Sequence, residues 1–166
     1  MPIRLLPPSL IDQIAAGEVV EGARSVIREL MDNALDAHAT ALTLWIDEGG
    51  HTSLRLRDNG SGIPKDELSL ALTRHATSKL TDGNLSHIST LGFRGEALAA
   101  TASVSYLTLS SRTRESEAGW AYHNETLSPT FMEPGTEVCV KSLFQRTPVR
   151  LKFLKTPVSE AREIRK

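Results

Sequence analysis

"RELMDNALDA", residues 28–37, is the stretch on which the reading of this chain turns. It has the look of a helix, yet Glu29, Asp32, Asn33 and Asp36 fall within eight positions. At about 100° per residue these four gather on one narrow arc. Ala23, Val26, Ile27, Leu30, Met31, Ala34 and Leu35 fill the opposite one. Amphipathic helices ordinarily turn charge to water. Three details argue against that here. The acidic groups lack alternating cations, with only Arg28 and Asp32 spaced i to i+4. Asp32 and Asp36 repel each other one turn apart. Asn33 is a poor residue for a helix interior. Local rules broken together point to a site. A carboxylate and an amide one turn apart can serve a metal ion, a water, or both.

The surrounding composition is that of a globular domain. The chain has 166 residues, 40% of them apolar and 23% charged, enough for one real core. No apolar run approaches the roughly 20 residues of a membrane span. The opening "MPIRLLPPSL" lacks the apolar centre of a secretory signal. Cys139 is the single cysteine, which excludes an internal disulfide. It reads as a small apolar strand residue in a reducing compartment. Charge is unevenly placed. Residues 1–140 carry 11 Lys or Arg against 18 Asp or Glu, and residues 141–166 carry 8 against 2. A basic tail of that kind meets phosphate or simply solvates a terminal helix.

Working outward, "SLIDQIAAGEVV" predicts a short helix capped by Ser9, and residues 25–37 the helix quoted above. "ALTLWIDEGG" and "SLRLRDNG" alternate as two strands of a hairpin turning at Gly49 and Gly50. "KDELSLALTRHATSK" and "GEALAATASV" are helical patterns, and "SYLTLSSRT", "GWAYHNE" and "TEVCVKSLF" are later strands. "TPVRLKFLK" begins a further helix at Pro148. The predicted class is α+β, a two-layer sandwich with helices on one face of a mixed, largely antiparallel sheet.

Three glycine-bearing stretches carry chemistry. In "RDNGSGIP", residues 57–64, Asp58 ends a strand beside Gly60 and Gly62. Turns use Asn and Gly freely, but a carboxylate fixed among glycines also lets a flat ring approach and be read by a hydrogen bond. "TLGFRGEALAA" sets Gly92, Phe93, Arg94 and Gly95 before a helix opening at Glu96, Ala97 and Leu98. A glycine loop feeding a helix start aims N–H groups at an anion; a plain entry turn looks the same. It is not the Walker pattern. "RHATSK" offers Thr77, Ser78 and Lys79, which a lysine C-cap would also explain. His75 reads as a structural histidine. Together these pieces suit a nucleoside triphosphate with Mg²⁺. Asn33 would offer the metal an oxygen, and Glu29, one turn earlier, would hold and deprotonate water.

"IAAGEVV", "ELMDNALDA", "DNGSGI", "RHATSK", "GFRGEALAA" and "GTEV…LF" resemble, in order, the N-terminal ATPase region of the MutL mismatch-repair family, within the gyrase, Hsp90, histidine-kinase and MutL (GHKL) group. The resemblance runs from Ile3 to about Lys155. It implies the Bergerat fold, with helices on an eight-stranded mixed sheet. It also implies ATP and Mg²⁺, with Glu29 as general base, Asn33 on the metal, Asp36 and Asp58 in the nucleotide site, and Asp58 on adenine. Gly60 and Gly62 flank the base. Thr77, Ser78 and Lys79 belong to the lid, Gly92 to Leu98 to the phosphate loop, and Thr136 supports the adenine pocket. The expected division is 1–145 as the ATP-binding domain and 146–166 as a basic helix leading toward a second domain. In the family that domain supplies a lysine to the γ-phosphate.

The chain departs from the family pattern at several points. Gly22-Ala23 replaces Arg-Pro, His38 replaces a usual Gly, Gln145-Arg146 and Leu151 alter the "LFYNTPARRKFLK" pattern, and residues 114–134 run short. The resemblance implies a weak ATPase switch that gates homodimerisation and signals to mismatch-recognition and endonuclease or helicase partners in the cytosol. The alternative is an ATP-binding interaction module with little hydrolysis. A kinase or chaperone reading fits "GFRGEAL" poorly. Any DNA contact is expected to be weak and non-specific, through Arg146, Arg150, Lys152 and Lys155.

Overall fold

The alternating segments of the sequence pair into one antiparallel sheet. The computed structural model describes residues 3–73, 96–145, 147 and 155–166. Its strands are β1 (Leu42–Asp47), β2 (Ser53–Asp58), β3 (Tyr106–Arg112), β4 (Gly119–His123), β5 (Thr126–Thr130) and β6 (Gly135–Lys141). They lie in the order β1-β2-β6-β3-β4-β5, and all five pairings are antiparallel. The described sheet thus has six strands and no parallel pair, where eight strands and a mixed sheet were expected. β5 was not anticipated: Ser128 and Pro129 are poor strand residues. Pro129 is tolerated because β5 is an edge strand needing ladder bonds on one side only. Asn124 and Glu125, at φ 46° and 59°, make the tight turn that feeds it.

Period-2 alternation gives the sheet two unlike faces. Leu54 and Leu56 of β2, Val138 and Val140 of β6, and Leu107 and Leu109 of β3 point to one side and are buried. Arg55, Arg57, Glu137, Cys139, Thr108 and Ser110 point to the other, which no described helix covers. Cys139 therefore sits half-buried on the polar face. The helices α1 (Pro8–Val19), α2 (Ala23–Asp36), α3 (Leu68–Ala71) and α4 (Ala97–Ser103) lie over the apolar face. Helix α5 (Pro157–Ile164) packs against α2 and the short turn Glu48–Gly50.

Helix α2 contributes Ala23, Val26, Ile27, Leu30 and Ala34 to the core. Met31 and Leu35, expected on the same stripe, are 42% and 52% exposed. The buried stripe of α2 is thus narrower than the apolar arc of its sequence. The N-terminus of α2 is fixed by Ser25, whose Oγ accepts from Gly22 N–H at 3.2 Å and donates to Gly22 O at 2.8 Å. Ser9 does not cap α1: Pro7 holds that position, with no side-chain cap, and Pro8 occupies the first turn. The long helix expected over 65–79 is, among the described residues, a 3₁₀ turn at Lys65–Glu67 followed by α3. The segment "TPVRLKFLK" falls largely outside the described residues.

Candidate nucleotide site

The site is assembled where the C-terminal end of α2 meets the end of β2. Main-chain bonds make that junction: Ser61 N–H donates to Ala37 O at 2.9 Å and Asn59 N–H to Ala41 O at 3.3 Å. Asn59 Oδ1 accepts from Thr40 and Ala41 N–H at 2.8 and 2.9 Å, so the α2–β1 connection is stapled to the strand end. A Cβ on Gly60 would meet Ala37 O at 2.7 Å. Gly62 has φ +76°, and its Cβ would lie 2.2 Å from Arg112 O. These glycines therefore admit the protein's own backbone, α2 on one side and β3 on the other, as well as leaving the strand end open.

Asp58 is 7% exposed at the centre of this junction. Its Oδ1 accepts from Gly60 N–H at 2.8 Å. Burial pushes its carboxyl above the ordinary aspartate value, against the opposing pull of the Gly60 and Thr136 N–H groups. Across the sheet at this level stand Leu42, Asp58, Thr136, Ser111, Trp120 and Pro129, one per strand and all on the helix-bearing face. Thr136 is thus the direct neighbour of Asp58. Lys65 Nζ lies 3.6 Å from the ring centroid of Trp120, the β4 member of that row.

Going back along α2 from Ala37, Asp36, Asn33 and Glu29 follow on one face, all half-buried. At 1.5 Å per residue Glu29 stands about 12 Å from Ala37 along the axis. The arrangement is therefore elongated, with buried Asp58 at one end and the acid–amide face of Asn33 and Glu29 at the other. Helix α4, which packs on α1, α2 and β3, brings buried Ala97 and half-buried Glu96 and Leu98 to the helix layer. Thr77, Ser78, Lys79, Gly92, Phe93, Arg94 and Gly95 lie outside the described residues, as do Arg146, Arg150 and Lys152. Lys155 is exposed and 3.9 Å from Glu163, which also binds Lys166 at 3.1 Å and Arg24 at 3.3 Å. Those cations hold the Glu163 carboxyl below its ordinary value, the Lys166 hydrogen bond first among them.

Sequence reasoning missed Ser111. It is 1% exposed and bonds to Ile63 N–H, Gly135 O and the Thr136 hydroxyl. The signal was present: in "SYLTLSSRT" a serine occupies the inward position that continues Leu107 and Leu109. A hydroxyl at an inward strand position has to be hydrogen-bonded to something.

The chain is similar to known ATPases and mismatch-repair proteins. The family described as histidine kinase-, DNA gyrase B- and HSP90-like ATPase matches residues 21–132, a span that holds Glu29, Asn33 and Asp58. The DNA mismatch repair protein MutL of Aliivibrio salmonicida is 53% identical over 96% of this chain. That of Escherichia coli K12 is 52% identical over 99%. The chain spans only 26% and 28% of those relatives' own lengths. The Aquifex aeolicus MutL ATPase domain complexed with ADP superposes with a TM-score of 0.69 at 30% identity, over 88% of this chain and 52% of that one. The N-terminal domain of a DNA repair protein superposes with a TM-score of 0.77 at 27% identity, over 93% and 46%. The chain belongs to the histidine kinase-, DNA gyrase B- and HSP90-like ATPase family, as an ATP-binding domain of the MutL-like kind.

Proposed function

We propose that this domain is the nucleotide switch of a mismatch-repair protein: it binds Mg-ATP, hydrolyses it slowly, and uses the bound state to gate self-association and partner signalling. The observation that carries the reading is the elongated site, with buried Asp58 beside Thr136 at one end and Asn33 and Glu29, about one and two turns up α2, at the other. Asp58 accepts from the exocyclic amine of adenine. The triphosphate runs along α2 toward Glu29, which takes the proton of the attacking water.

The donor chemistry fits Mg²⁺. Asn33 and its neighbours Glu29 and Asp36 offer oxygens only, which suit a hard ion. Among the described residues no group of three or more His, Cys, Asp or Glu forms an all-protein metal cage. Mg²⁺ takes one or two protein oxygens and completes its shell with phosphate and water. Asn33 would hold it, and it would neutralise phosphate charge.

The lid and phosphate-loop roles of Thr77, Ser78, Lys79 and Gly92 to Leu98 belong to the same reading. So do the division into 1–145 and 146–166, a homodimer, repair partners and a cytosolic setting. Among the described residues no helix is long and apolar enough to cross a membrane. Phosphate release with Mg-ATP, measured beside a direct binding titration, tests the proposal. Slow turnover with saturable binding is expected. Binding with no turnover would make the domain an interaction module, and no binding at all would remove the nucleotide from the account.

A further inference from the structure

The buried hydroxyl pair beside Asp58 has only one arrangement of protons that satisfies every partner. Ser111 Oγ lies 2.8 Å from Gly135 O, and a carbonyl can only accept, so the Ser111 proton goes there. Ile63 N–H donates to the same Oγ at 2.7 Å. Ser111 Oγ and Thr136 Oγ1 are 2.8 Å apart. With the serine proton already committed, the Thr136 proton must point at Ser111. The hydroxyl of Thr136 then has lone pairs, and no proton, left for anything that enters the site. Its neighbour across β2–β6, Asp58, is an acceptor as well when ionised. Ser111 itself is buried at 1% exposure and reaches no ligand.

We propose that Ser111 is a positioning residue for base selection: by holding the Thr136 proton it makes the base-reading end of the site a pair of acceptors, which takes a 6-amino purine and refuses a 6-oxo one. This rests on the adenine reading given above and names the residue that sharpens it. An amino group has two hydrogens, one for each oxygen. A 6-oxo purine sets a third acceptor oxygen against the two, and its pairing is lost while the site's groups stay desolvated. Were the Thr136 hydroxyl free to rotate, it could donate to that oxygen, and the discrimination would fall.

The test is a binding titration of Mg-ATP and Mg-ITP, which differ at the 6-position and the neighbouring ring nitrogen. It uses wild type, Ser111→Ala, Thr136→Val and the double variant. Wild type should prefer ATP. Ser111→Ala should narrow the ATP-to-ITP ratio about tenfold, the worth of one hydrogen bond to a buried group. In the Thr136→Val background the same change should leave the ratio where Thr136→Val alone puts it. A merely structural serine would lower thermal stability without moving the ratio. Ser111→Cys, close in shape and a poor hydrogen-bonding partner, gives the same readings should the alanine variant not fold. A Ser111 variant that folds and keeps the wild-type ratio overturns the proposal. So does an equal fall in the ratio with and without the Thr136 hydroxyl. Wild type that binds ATP and ITP alike defeats the adenine reading itself, whereas wild-type preference retained in the Ser111 variants defeats Ser111 alone.

Discussion

Asp58 and Thr136 stand directly opposite each other in the β2–β6 pair, the last inward-facing residues of their row before the chain turns away from the sheet. Below them in the same strands come Leu56 opposite Val138, then Leu54 opposite Val140, all buried. The site therefore rests on the core and inherits its rigidity, while α2 holds the opposite, acidic end.

Glu29 and Asn33 should separate chemistry from binding. Glu29→Ala is expected to cut hydrolysis by roughly 10²- to 10⁴-fold and leave ATP binding nearly intact, because a general base acts on water. Asn33→Ala should weaken binding, and the loss should shrink when Mg²⁺ is omitted. Steady-state turnover and titration with and without metal check both; wild-type turnover in the Glu29 variant would strip that residue of its role.

Asp58 gives a pH dependence with a definite sign. Its carboxyl is raised by burial, so the folded state holds the proton more tightly than the unfolded chain. Its contribution to stability is then complete below the ordinary 3.8 and is lost as pH rises through the higher folded value. Asp58→Asn should abolish that loss. Thermal unfolding of both proteins across acidic pH should show the wild type falling relative to the variant as pH rises. Since the ionised carboxylate is the better acceptor for an amine, ATP binding should also release a proton and weaken on acidification.

His38 sits at φ 58°, just past the end of α2, where a left-handed conformation closes the helix and its N–H donates to Leu35 O at 2.9 Å. That conformation costs a non-glycine residue about 1 kcal/mol. His38→Gly should therefore raise the melting temperature by roughly 2–4 °C for a chain of this size. No change, or a fall, would mean that the imidazole makes up for the backbone.

The basic C-terminal stretch should bind DNA weakly and lose it with salt. Glu163 already holds Lys155, Lys166 and Arg24, and the rest of the chain is acidic. Gel shifts at low and physiological salt should show binding that is indifferent to sequence and falls steeply between them. Tight binding that survives salt would contradict this charge distribution.

Much of this was legible because it depends on short-range pattern. The hairpin β1–β2, the helix α2 with its acid–amide face, and strands β3, β4 and β6 follow from period-2 and 3.6-residue alternation. What escaped depends on neighbours distant in sequence. β5 exists because β4 offers it an edge, not because "TLSPT" favours a strand. Met31 and Leu35 are apolar in sequence but stay exposed, because burial is decided by which elements the fold lays against the helix. Gly60 and Gly62 could be read as openings for a ligand, but not as the close approach of Ala37 and Arg112. Ser111 is tied to Ile63 and Gly135 across 48 and 24 residues, a network no local window contains.

The central claim is that Asp58 reads adenine at the floor of an ATP site, and paired titrations of Mg-ATP and Mg-GTP test it most directly. A buried carboxylate built to accept a hydrogen bond rejects a base that cannot offer one there. Wild type should bind ATP more tightly than GTP, and Asp58→Ala, with its fold intact, should bind both weakly and alike. Equal affinity of the wild type for the two nucleotides, or a preference that persists in the variant, would contradict the account.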